Sequence, residues 1–162
     1  MNELEYEKFF SFNKESRKYK IELTKVIKFL LSKQRVIEAK YHFIELEKVN
    51  PNHVVVMALG FDIGVKTFDR EMVVKYHDLL KACKKYNKHD LYIKMIIYWL
   101  SINRKDNASL DVKVLLDDVS LDNGRLIKLY NIIYHELNEE NLIIKADDVF
   151  KKRNLRVIKG GV

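Results

Sequence analysis

The chain has 162 residues, 48% hydrophobic and 33% charged, with a formal net charge of +7 at pH 7. Its single Cys, Cys83, excludes an intramolecular disulfide or a multi-Cys zinc site and points to a reducing, cytoplasmic setting. One Pro and five Gly exclude a collagen-like chain or a long flexible linker, no apolar run reaches the ~18 residues of a membrane span, so no membrane partner is expected, and the acidic start MNELEYEKFF is not a secretory leader.

Residues 1–19 alternate charges with Tyr6, Phe9, Phe10 and Phe12, which predicts a short helix ending near Asn13 that caps the hairpin after it. Lys20 to Ser32 places Leu23, Val26, Ile27 and Leu30 on one helical face. A three-residue linker follows. Val36, Ala39, Phe43 and Leu46 then mark a second helix that must pack antiparallel to the first. Ala39 is the one small residue of that row and allows a close crossing; Pro51 between two Asn residues ends the helix in a turn.

Val54 to Phe68 reads as a helix whose Gly60 and Gly64 share a face. Glycine costs about 1 kcal/mol in a helix interior, so close packing of a neighbouring helix is the reason to keep both. Asp69 is the expected N-cap of the next helix, which buries Met72, Tyr76, Leu79 and Leu80 and runs to about Tyr86. Leu91 to Ile102 is apolar almost all round and predicts the most buried helix, with Trp99 in the core. Asn103 to Ser109 reads as a polar loop, and a shorter helix carries Val112, Leu115, Leu116 and Val119. After an Asp-Asn-Gly turn, Arg125 to Leu137 is amphipathic through Leu126, Leu129, Tyr130, Ile133 and Leu137. One or two short helices close the domain by Phe150, and residues 151–162 form a basic flexible tail.

The spacing Ala39, Phe43, Pro51, the first-helix residues Leu23, Val26 and Leu30, and the Leu59-Gly60 and Ile63 pattern resemble the tetratricopeptide repeat, clearest in residues 20–53. Ile27 and Leu46 stand where that family usually has small residues. The resemblance implies an all-α, right-handed array of antiparallel helical hairpins in one domain over residues 1–150. A cap (1–19) precedes three units (20–53, 54–88, 89–122), and closing helices (123–150) follow. It also implies a non-enzymatic interaction module, an adaptor, assembly chaperone or peptide-sensing subunit. Such a module holds a protein or peptide in a groove lined by first helices. Helical phase puts Lys25, Lys28, Asp62, Lys66, Lys94 and Tyr98 toward that groove.

Charge is unevenly spread: 21 basic and 13 acidic residues over 1–105, 4 and 10 over 106–150, 5 and none over 151–162. Lys81, Lys84, Lys85 and Lys88 read as one edge of a helix. With Lys151, Lys152 and Arg153 they form the basic patch of an alternative reading, a nucleic-acid-binding protein. The ordinary reading is a lysine-rich helix end that suits the helix dipole. A third reading rests on Arg35 with His42 and Arg70 with His77, whose spacing is similar to the Arg and His of HEPN ribonucleases, although Val36 and Glu71 replace that family's small polar residue. Phosphate-binding glycine loops, metalloprotease, EF-hand and nucleophile-elbow motifs are absent, and the five His form no short-range ligand pair. No catalytic residue, metal or cofactor is therefore assigned. Cys83 reads as a small core hydrophobe on a helix.

Overall fold

The structure, a computed structural model, describes residues 1–11, 14 and 17–155, and every regular element among them is helical. The chain divides into two compact units, Met1–Tyr86 and Asn87–Val162. The first holds α1 (Glu3–Phe9), α2 (Arg17–Ser32), α3 (Val36–Val49), α4 (Val54–Lys66) and α5 (Arg70–Ala82). The second holds α6 (Lys88–Ser101), α7 (Lys105–Asp117), α8 (Asn123–Ile132), which runs on into a π-helical turn (Ile133–Leu137), and α9 (Glu140–Lys152). The region expected to close the domain, residues 123–150, holds α8, the π turn and most of α9.

Four hairpins, α2–α3, α4–α5, α6–α7 and α8–α9, turn at one left-handed residue each: Gln34 (φ 60), Phe68 (φ 55), Asn103 (φ 58) and Asn138 (φ 51). The steps from 34 to 68, 103 and 138 are 34, 35 and 35 residues. In the first three turns the residue after the left-handed one donates its N–H five residues back: Arg35 to Leu30, Asp69 to Gly64, Arg104 to Trp99. This is the C-cap that satisfies carbonyls a helix end leaves free. The fourth turn is reached through the π turn, and Asn138 itself donates to the Ile133 carbonyl. Three first helices have side-chain N-caps at His53, Asn87 and Asp122, again 34 and 35 residues apart.

In the first unit Leu23, Val26, Ile27, Leu30, Ala39, Phe43 and Leu46 are buried, as the two apolar rows predict. α1 ends at Phe9, short of the expected Asn13, which with Phe12 lies outside the described residues. It packs on α2 and α3: Phe9 stacks on Tyr19, Tyr6 approaches Phe29, and both rings meet His42 edge-on. Gly60 and Gly64 do face α5: a Cβ on Gly60 would stand 2.5–2.6 Å from the Tyr76 ring, and one on Gly64 3.1 Å from Val73. Asp69 caps α5 as expected, accepting the Met72 N–H at 3.1 Å. The buried row of α5 is Val73, Tyr76 and Leu80; Met72 is half-buried and Leu79 exposed. Val73 takes the inward place expected of Met72, and Leu79 drops out of the row, while Val73 and Met72 both lie against Gly64.

The core of the second unit gathers Ile93 and Ile96 of α6 with Ala108, Val112 and Leu115 of α7, Leu126 and Leu129 of α8, and Leu142, Ala146 and Phe150 of α9. Three expectations are corrected here. α7 begins at Lys105, so the loop after α6 is only Ile102 to Arg104, because the left-handed Asn103 reverses the chain at once. α6 is not the most buried helix: Tyr92 and Ile97 are exposed, whereas α4 buries eight residues against the tight α5 crossing. Trp99 lies at the core's edge, half-buried, its indole N–H donating to Asp111 at 3.0 Å, since a buried indole needs an acceptor and Asp111 offers one there. Leu126, Leu129, Tyr130, Ile133 and Leu137 are all buried, as expected.

Candidate interaction surfaces

Of the residues assigned to a first-helix groove, Lys25 and Lys28 on α2 and Lys66 on α4 are exposed, and Lys25 pairs with Glu22 at 2.9 Å. Asp62 and Lys94 are half-buried. Tyr98 is buried and does not line an open groove, contrary to expectation; its ring lies against Trp99. Helical phase alone cannot separate a groove position from a packed one on a helix apolar nearly all round.

The lysine cluster is not one helix edge. α5 stops at Ala82: Cys83 turns extended (ψ 108), Lys84 and Lys85 lie in the following turn, and Lys88 opens α6. The Asn87 side chain, accepting from the N–H groups of His89 and Asp90, starts that next helix. Cys83 is therefore a half-buried C-cap rather than a core residue on a helix. In the C-terminal group Lys151 and Lys152 belong to the last turn of α9, and Arg153 caps it. The Arg153 guanidinium donates to the Leu121 carbonyl and to Asn123 Oδ1. The expected flexible basic tail thus begins with three anchored residues, and 156–162 lie outside the described residues.

Arg35, His42 and His77 are engaged locally. Arg35 grips Glu38 at 2.7 and 2.8 Å and reaches Glu3 at 3.3 Å, over the face of Tyr6. His42 is buried among Tyr6, Phe9, Phe10 and Tyr41, and that burial pushes its pKa down against the pull of Glu38 and Glu45. His77 Nδ1 meets Asp78 at 3.1 Å. Among the described residues no group of His, Cys, Asp and Glu is placed to hold a metal ion, and no helix is long and apolar enough to cross a membrane.

Inside each unit the second helices of the two hairpins are linked in the same way. Lys40 of α3 binds Asp69, the cap of α5, at 3.0 Å; at the equivalent place Ser109 of α7 binds Glu139, the cap of α9, at 2.6 Å. Lys75 of α5 binds Glu47 of α3 at 3.1 Å, and Lys145 of α9 binds Asp117 of α7 at 2.6 Å, one position off the register that aligns Ala39 with Ala108. Beside the first pair of links lies a groove of about 270 Å³ lined by Phe43, Ile44, Met72 and Tyr76 with those charges.

The outer side of α3 carries a second apolar row, which the inward periodicity leaves unassigned. Ala39, His42, Phe43 and Leu46 point inward. Opposite them Ile37 (75% exposed), Tyr41 (71%) and Ile44 (50%) stand at i, i+4 and i+7, one outward stripe. Its signal was visible as a helix with apolar residues on two opposite faces. Comparison with known proteins brought no match to a family model, to a curated protein or to a solved structure.

Proposed function

We propose that this chain is a protein-interaction module of helical-hairpin repeats, similar in plan to the tetratricopeptide repeat, which binds a segment of another protein in the cytoplasm. The observation that carries the reading is the recurrence of one hairpin turn at steps of 34, 35 and 35 residues, with repeated links between second helices. A chain that repeats a hairpin spends its sequence on a scaffold, and its function then rests on the surface that the scaffold holds in place. Lys28 and Lys66, exposed on first helices, are the residues assigned to the binding face. Assignment to adaptor, assembly chaperone or peptide sensor depends on the segment bound.

The test is selection of peptides from a display library by the full chain, followed by titration of the enriched peptides. Binding should fall at least about tenfold with Lys28→Glu or Lys66→Glu, and should be unaffected by reversing Lys81, Lys84 and Lys85. The opposite pattern supports the nucleic-acid reading: no enriched peptide, and generic RNA or DNA bound at about 150 mM salt with a steep salt dependence that charge reversal of Lys81, Lys84 and Lys85 abolishes.

A further inference from the structure

We propose that the outer face of α3 is a self-association surface, on which a second copy of this chain docks its own α3 antiparallel. The internal repeat supplies a control for what the fold itself needs. α3 and α7 begin alike, after a left-handed residue and an Arg at the N-cap with no side-chain cap bond, and both bury an Ala four residues later (Ala39, Ala108). In that register Ile37 corresponds to Asp106, Tyr41 to Leu110, Ile44 to Lys113 and Lys48 to Asp117. α7 folds with exposed charges at three of the four places and keeps only Leu110, beside Val114, as outward apolar side chains. The continuous stripe on α3 is thus not required by the hairpin, and a row of large apolar side chains aimed at water marks a covered face.

Charge selects the occupant. At the N-terminal end of the stripe stand Glu3, Glu38 and Arg35, joined to one another, with one negative charge in excess. At its C-terminal end stands the exposed Lys48, while its neighbour Glu47 is neutralised by Lys75. The order Ile37, Tyr41, Ile44, Lys48 is symmetric about a point between Tyr41 and Ile44. A two-fold axis there sets Tyr41 against the partner's Ile44. It lays the stem of Lys48 over the partner's Ile37, with the ammonium toward the acidic end. Both ends are satisfied at once, and the helix dipoles oppose. A parallel pairing would bring like end against like end.

Sedimentation equilibrium of the full chain tests this. At about 100 µM, where a micromolar association is populated, the wild type should be a dimer. Tyr41→Glu and Ile37→Asp should each weaken it at least about tenfold, while the melting curve taken at a dilution where every variant is monomeric stays in place; Ile37→Asp installs a residue that α7 already tolerates. Lys48→Glu and Glu38→Lys should each weaken the dimer alone, and an equimolar mixture of the two variants should restore a heterodimer, one end of it the native Lys48–Glu38 pairing and the other the same pairing with charges exchanged. A wild type that is monomeric at that concentration overturns the proposal. So does a dimer indifferent to both Tyr41→Glu and Ile37→Asp, which would place the contact elsewhere. So does a mixture no stronger than its components, which would remove the antiparallel pairing.

Discussion

Gly60 shows how one residue governs the distance between two helices. Its missing Cβ leaves room for the Tyr76 ring, which is buried and meets Phe43 edge-on at 5.6 Å. Gly60→Ala gains about 1 kcal/mol of helix propensity but sets a methyl 2.5 Å from a carbon of the Tyr76 ring, which must then shift against Phe43. Overpacking of this kind costs about 1–3 kcal/mol, so the net effect is a lower melting temperature, read by circular dichroism. A stabilised Gly60→Ala would show that Tyr76 moves aside freely. The sequence revealed that Gly60 and Gly64 serve close packing, because two costly residues four apart on one face have few other uses. It did not reveal the partner side chain, since Tyr76 lies on another helix and the pairing across the crossing is not a local pattern.

At the scale of the element, the turn between the two helices of a hairpin is the most informative feature. Two of the four left-handed positions are Asn, the residue after Gly that tolerates that conformation best. The other two, Gln34 and Phe68, carry no such signal, so the exact turn was not legible there. A bulky side chain in the left-handed region costs about 1–2 kcal/mol, and Phe68 is 70% exposed, so it recovers little by packing. Phe68→Gly should therefore raise stability by about 0.5–1 kcal/mol after the larger chain entropy of Gly is counted. A thermal melt checks this, and a lower midpoint would mean that the Phe68 ring makes contacts worth more than the backbone strain. The early start of α7 has the same origin: Asn103 turns the chain immediately, and the polar run after it joins the first helical turn.

At the scale of the molecule, left-handed turns recur at steps of 34 or 35 residues, and within each unit polar side chains link the second helix of one hairpin to the helix after the next turn. The correspondence makes a direct prediction: Ile37→Asp combined with Ile44→Lys, the residues that α7 carries at those places, should change unfolding free energy by no more than about 0.5 kcal/mol. Urea denaturation of the double variant under conditions where the chain is monomeric measures it. A loss of several times that amount would mean that the stripe packs within its own chain, and the self-association surface would lose its basis.

The sequence by itself determined that the chain is helical, where most helices lie, and which rows of α2, α3, α8 and the π turn face inward, because apolar periodicity and caps act over a few residues. It also determined the period, since first helices restart at near-constant spacing. Only the tertiary structure decided the phase of α5, the half-buried place of Trp99, the burial of Tyr98 and the anchoring of Arg153. The phase of α5, Trp99 and Arg153 depend on partners about 10 to 35 residues away, Gly64, Asp111 and Leu121, which no local pattern encodes. The outward stripe of α3 belongs to both levels. Its spacing is written in the sequence, but that it faces water became known only when the opposite face was seen to be filled.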